Sequence, residues 1–227
     1  MVAPTPYTRC LAMDTATQFL SVAVGNETQS ALYHEQVGAQ QSALILPTIQ
    51  SLLDTQGHGL DQLDLIVYAQ GPGSFTGLRI GAGVAQGLSM ALDVPLMGIP
   101  TLDVVASMAP AHTHVLAAID ARMGEVFYAW YDTTNMTRLS DYSVAKPTEI
   151  KPLAPDALTV GNALELYADI LPTGSSQMPT AQDYLKLALS GRYQASGAQA
   201  ADLLYVRNKI ALTAKEQAQR KQNGHNS

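Results

Sequence analysis

Leu11-Ala12-Met13-Asp14 is answered 106 residues later by Ala117-Ala118-Ile119-Asp120. Each is a short apolar run closed by an aspartate, and each is followed by a second strand-like segment, residues 20–24 in one case and 126–131 in the other. Strand, aspartate, turn, strand, written twice, marks a duplicated unit, and a repeat constrains architecture more firmly than local propensity does.

Working outward from the first copy, residues 10–13, 19–24 and 29–33 read as a meander of strands. They are separated by the polar turn Asp14-Thr15-Ala16-Thr17-Gln18 and by Gly25-Asn26. Residues 42–55 carry Ile45, Ile49 and Leu52 at helical period, and Gly57 and Gly59 close that helix. A strand at 65–69, a helix at 76–92, a strand at 94–98, a helix at 102–108 and a strand at 115–119 follow. Helices crossing between short apolar strands require parallel neighbours, so the expected fold is α/β, two-lobed, with mixed sheets and helices on their faces. Beyond Tyr131, prolines 147, 152, 155, 172 and 179 break the chain into short pieces. The second lobe is therefore read as reduced, with a helix at 181–189 and a strand at 203–206. The expected divisions are a first lobe at 1–109, a second at 110–216 and a mobile polar tail at 217–227.

The run Gly71-Pro72-Gly73-Ser74-Phe75-Thr76-Gly77-Leu78-Arg79-Ile80-Gly81 joins a strand to a helix. Its glycines suit a sharp turn and close approach to the main chain. A phosphate-binding P-loop would end in lysine and a hydroxyl, and a dinucleotide fingerprint would place its third glycine one residue before Gly77. Neither pattern is met. Packing or partner docking is the plainer reading, and Gly73 and Ser74 stand with Asp14 and Asp120 as candidates for a vestigial nucleotide site. For the aspartates the competing reading is a turn cap, each carboxylate accepting nearby backbone N–H groups.

The second helix carries two stripes. Ile80, Val84, Leu88 and Ala91 are expected to face the sheet, while Arg79, Gly83, Gln86 and Met90 leave it. Glycine inside a helix costs on the order of 1 kcal/mol relative to alanine. Gly87 is assigned to packing within the lobe and Gly83 to the close approach of another helix. On the first helix, Ile45, Ile49 and Leu52 are expected inward, leaving Leu44, Pro47, Thr48 and Ser51 for a partner.

Of the 227 residues 47% are hydrophobic and 14% charged, which supports a well-packed core. The net charge of −6 argues against this chain as the main nucleic-acid surface. The basic residues Arg207, Lys209, Lys215, Arg220 and Lys221 gather near the C-terminus, where a solvated tail is the plainer reading than tRNA contact. Cys10, the single cysteine, permits no internal disulfide. The first seven residues lack the basic and apolar regions of a signal peptide, and no apolar run reaches membrane-spanning length, so a cytoplasmic location without membrane contact is expected. His112 and His114 lack a third ligand, and no histidine pair four apart lies on a helix, so no metal site is expected.

Taken together, GPGSFTGLRIG, Leu11-Ala12-Met13-Asp14-Thr15, Ile119-Asp120-Ala121-Arg122-Met123-Gly124-Glu125-Val126 and Tyr205-Val206-Arg207-Asn208 closely resemble the TsaB (YeaZ) family of bacterial tRNA-modification subunits. The resemblance implies an actin-like (ASKHA, ribonuclease-H-like) fold without catalysis or cofactor of its own. It implies a scaffold for a catalytic subunit, TsaD, working with the ATPase TsaE, in a complex that uses ATP to place a threonylcarbamoyl group on tRNA adenosine. It further implies that two helices of the first lobe pair with TsaD, or with a second copy in a homodimer, and that tRNA is met through the complex. Related chains often hold a histidine where Gln41 stands, and a non-titrating amide there disfavours catalysis. The alternative is a small actin-like ATPase or kinase acting alone; a metallopeptidase lacks its ligands.

Overall fold

The computed structural model describes residues 7–26 and 28–206. In chain order the elements are β1 (Cys10–Asp14), β2 (Phe19–Gly25), β3 (Ser30–Gln36), α1 (Gln41–Gln56), β4 (Leu65–Gly71), α2 (Phe75–Leu92), β5 (Leu96–Pro100) and α3 (Thr101–Ser107). Then come β6 (Val115–Arg122), β7 (Glu125–Asp132), β8 (Thr137–Arg138), β9 (Ser143–Ala145), β10 (Leu158–Val160), α4 (Ala163–Tyr167), β11 (Gly174–Ser175) and α5 (Ala181–Leu189).

The duplication is borne out in the sheets. The first runs β3-β2-β1-β4-β5 and the second β8-β7-β6-β10-β11, with β9 also pairing β7. In both, the opening strand pairs antiparallel with the next strand and parallel with the one that follows on its other side. The two opening strands are the residues of the sequence echo. Every residue of β1 is buried, because it is central in a sheet covered on both faces.

The pleat sorts β1 by parity. Leu11 and Met13 join Ile45, Ile49 and Leu53 of α1 and Ala85 of α2 in one apolar layer. Cys10 and Ala12 join Ala181, Tyr184, Leu185 and Ala188 of α5 in the other. Ile45, Ile49 and Leu53 are each at most 2% exposed, and burying each contributes roughly 1.5–3 kcal/mol. Leu53, not Leu52, completes the inward row of α1, and Leu52 joins its half-buried flank.

The inward row of α2 also differs from the expected one. Gly77, Leu78, Gly81, Ala85 and Ser89 are buried, whereas Ile80, Val84 and Leu88 are half-buried and Ala91 is exposed. Two positions of this row are glycine because the helix runs close to the β1–β2 turn there. A Cβ at Gly77 would collide with the Thr15 carbonyl oxygen, and one at Gly81 with Thr15 Oγ1. Gly87 is exposed with open space around it, so packing within the lobe does not account for it.

Chain order and lobe membership part company after β11. α5, counted with the second lobe by sequence, lies on the first sheet, where Ala181 N donates to Ser21 Oγ at 2.8 Å. The following segment stays there: Ser196 and Leu96 exchange backbone hydrogen bonds, and Leu204 N donates to Gln70 O. Residues 203–206 form no strand; Leu204 bonds to Gln70 near the end of β4, and Leu203 packs against both apolar layers of the first lobe.

α3 is the joint. Its Val104 packs in the first lobe, while Leu102, Val105 and Ala106 pack against β6 and β7. Its Asp103 gathers three tyrosine hydroxyls, each donating at 2.6 Å: Tyr131 and Tyr142 to Oδ1, and Tyr193 to Oδ2. Tyr131 and Tyr142 belong to the second lobe and Tyr193 to the returning segment, so one carboxylate ties the lobes together. Burial, then the Asp103 charge, pushes all three hydroxyls well above the ordinary tyrosine range. Among the described residues no helix is long and apolar enough to cross a membrane.

Candidate functional site

Asp14 ends β1 on the α5 side of the sheet and is 5% exposed. Its Oδ1 accepts the Ala16 N–H at 2.7 Å, the turn-capping arrangement. Burial pushes its carboxyl up to about 6, the Ala16 bond opposing that shift. The Asp14 charge in turn adds to the burial that raises the Tyr184 hydroxyl of α5. Tyr184 OH and Thr101 Oγ1, both fully buried, face each other without a hydrogen bond of good geometry. The polar floor beneath Asp14 is thus roofed by the chain's own helix.

The glycine run wraps the same turn. Ser74 N donates to Ala16 O at 2.6 Å, and the Ser74 hydroxyl accepts from Gly77 N to cap α2. Gly73 lies against Ala16, and Thr15 Oγ1 donates to Gly77 O at 2.8 Å. Gln41, 4% exposed, completes the clasp by donating through Nε2 to the Thr17 and Phe19 carbonyls. Asp14, Gly73 and Ser74 therefore come together around Ala16, apart from Asp120, and the Ser74 and Gly77 amides are engaged within the chain.

Asp120 repeats the motif in the second lobe. Its Oδ1 accepts from Arg122 N at 2.9 Å, its Oδ2 lies 3.3 Å from the Arg122 guanidinium, and its N–H donates to Asn162. These partners all belong to its own lobe. The hairpin that follows puts Arg122 and Met123 in the left-handed region, at φ 67° and 54°. His112 Nδ1 accepts the His114 N–H and its Nε2 lies 3.5 Å from Asp156, so this pair shapes a turn before β6.

The outer faces of α1 and α2 are the second candidate. Pro47 and Ser51 of α1 and Arg79, Gly83 and Met90 of α2 are exposed, and Leu44 and Thr48 are half-buried. Gln86 is drawn off this face by a 3.0 Å hydrogen bond to Ala198 O. Pro47 has no N–H, so the carbonyl one turn before it is without its helical partner. Nothing lies within 4 Å of a Cβ placed at Gly83 or Gly87. Leu46, Phe75 and Met90, at 54%, 61% and 68% exposure, add apolar surface. Sequence reasoning missed Leu46 and Phe75, whose exposure depends on the rotation of each helix about its axis. Phe75 carries the Arg79 guanidinium 3.3 Å above its ring, and Tyr205 stands beside them.

Two sheets of one topology, each opening on an aspartate-capped turn, define a duplicated protein of the actin-like class. Residues 27–221 match the TsaD family, described as tRNA N6-adenosine threonylcarbamoyltransferase. The chain is 35% identical over 222 residues to the tRNA threonylcarbamoyladenosine biosynthesis protein TsaB of Escherichia coli, covering 89% of this chain and 96% of that one. It is 42% identical over 122 residues to the protein of the same name from Haemophilus influenzae, about half of each chain. The solved structure of YeaZ from Pseudomonas aeruginosa superposes with a TM-score of 0.79 at 31% identity, covering 88% of this chain and all of that one. The chain belongs to the TsaD family in this broad sense and, within it, to the TsaB (YeaZ) family.

Proposed function

We propose that this chain is the non-catalytic partner subunit of the cytoplasmic machinery that makes tRNA threonylcarbamoyladenosine. It docks a TsaD-type catalytic chain on the outer face of α1 and α2, pairs with itself through that face when alone, and works with TsaE in a complex that consumes ATP. The observation that carries this reading is the exposed row Arg79, Gly83 and Met90 beside Leu44, Pro47, Thr48 and Ser51. A helix glycine with open space around it leaves room for a second helix to approach closely, and Leu44, Leu46 and Met90 supply the apolar centre of an interface with a polar rim. The Asp14 turn supports the same reading, because its amides and carboxylate serve the fold.

The test combines the purified chain with TsaD, TsaE and the enzyme that forms threonylcarbamoyl-adenylate, and measures product on tRNA. Wild type completes the reaction. Gly83→Leu or Met90→Glu, with unchanged melting temperature, abolishes co-elution with TsaD and the reaction with it. Wild-type affinity in both folded variants would move the interface elsewhere.

A further inference from the structure

Charge is scarce on the outer face of α1 and α2, and neither charge present suits the helix that bears it. The 16 residues of α1 hold one charged side chain, Asp54, and the 18 of α2 hold one, Arg79. Both are exposed, Asp54 two turns beyond Pro47 and Arg79 one turn before Gly83. The Arg79 guanidinium reaches back over Phe75, the first residue of α2, while Asp54 lies in the last turn of α1. A cation at a helix N-terminus and an anion at a C-terminus each oppose the macrodipole, so helix stability accounts for neither placement. Among the described residues neither side chain enters an ion pair; Asp54 Oδ1 accepts from Gln50 of its own helix at 2.8 Å.

The two helices run the same way, because α1 joins β3 to β4, α2 joins β4 to β5, and these three strands share one direction. They also start level, since the Gln41 side chain lies against Gly77. At about 1.5 Å of rise per residue, Gly83 is level with Pro47, about 9 Å along from that start. Arg79 lies before this level, and Asp54 lies about 10 Å beyond it. A two-fold axis standing on the groove between the helices at that level lays α2 of one copy, end for end, over α1 of the other. Gly83, with open space around it, then meets Pro47 of the second copy, and Asp54 of the second copy comes to the Phe75–Arg79 end of α2. Symmetry repeats the meeting. We propose that a second copy of this chain docks on α1 and α2 in this antiparallel way, held in register by two ion pairs, Arg79 of each copy with Asp54 of the other. A parallel arrangement would set like charges at the same end and is disfavoured. This rests on the reading of that face as the docking surface and adds the orientation and the residues that fix it.

Sedimentation equilibrium of the full chain tests the register, with circular dichroism as the control for folding. Arg79→Glu and Asp54→Arg should each raise the dimer dissociation constant about a hundredfold, tenfold for each of the two contacts made repulsive. Both substitutions agree with the helix dipoles, so both chains should stay folded. Mixing the two variants should restore dimers of wild-type affinity, because every cross-copy pair is then opposite in charge, and so should combining both substitutions in one chain. Unchanged affinity in the single variants with Gly83→Leu monomeric, or a mixture that stays monomeric, refutes the antiparallel register while leaving the face as the interface. Dimers that survive Gly83→Leu, or a wild-type chain that is monomeric at high concentration, refute self-pairing through this face and the register with it.

Discussion

Replacing Asp103 with alanine removes the acceptor for three hydroxyls at once. Each bond is 2.6 Å long and runs from a neutral donor to a carboxylate, a class that contributes about 1.5–3 kcal/mol. The three losses do not add. Tyr142 and Tyr193 are only half-buried and turn to water, while Tyr131, at 1% exposure, is left with its hydroxyl unpaired. The expected cost is therefore about 3–5 kcal/mol, a fall of roughly 10 °C in melting temperature for a chain of this size. Urea unfolding at pH 7 measures it, with Tyr131→Phe in wild type and in Asp103→Ala closing a double-mutant cycle. Alkali supplies an independent readout. The folded state holds these hydroxyls protonated above the pH at which unfolded tyrosines ionise, near 10, so their contribution is complete below that pH and declines as pH rises beyond it. The decline should be shallower in Asp103→Ala. A loss under 1 kcal/mol with an unchanged alkaline limb would mean that the carboxylate does not hold the lobes together.

The Asp14 carboxyl is raised to about 6 from 3.8, so its own contribution to stability is full below pH 4 and falls by on the order of 3 kcal/mol as pH climbs to 6. Asp14→Asn, which preserves an acceptor for Ala16 N, should flatten that limb in denaturation midpoints between pH 4 and 7. Gly77→Ala should destabilise the fold by several kcal/mol through its clash with Thr15, whereas Gly83→Ala should leave it equal or up to about 1 kcal/mol more stable; two melting curves decide. Asp14→Ala and Asp120→Ala, when folded, should keep the reconstituted modification rate within a few fold. A thousandfold loss, about 4 kcal/mol of transition-state stabilisation, would place chemistry on this chain.

The duplication was legible because central strands leave a mark that needs no context: an unbroken apolar run ended by an aspartate, twice. Helix α5 was also readable end to end, with Thr180 and Asp183 capping its start. Its destination was not, since periodicity shows that a helix has an apolar face and says nothing of which sheet receives it. The rotation of α2 was misjudged for a related reason. Bulk hydrophobicity nominated Ile80, Val84 and Leu88, but the helix sits so near Thr15 that positions 77 and 81 admit only glycine, and the buried row they set runs through Leu78, Ala85 and Ser89. The strands β8 to β11, two or three residues each, are too short for an alternating pattern to register. Gln41 was noticed for lacking a titratable group, and its grip on the Thr17 and Phe19 carbonyls depends on a fold that local sequence does not describe.

Because α5 and residues 193–204 close the first sheet, the second lobe is nested inside the first. A ribosome releases β1 through α3 long before the helix that covers Cys10, Ala12 and Val67 exists. One face of that sheet must therefore wait, apolar and uncovered, while some eighty more residues are made, and the closing contacts span up to 160 positions. The order of synthesis thus makes the second lobe the earlier one able to finish, and a fragment ending at residue 109 should be recovered as aggregate unless α5 is supplied with it.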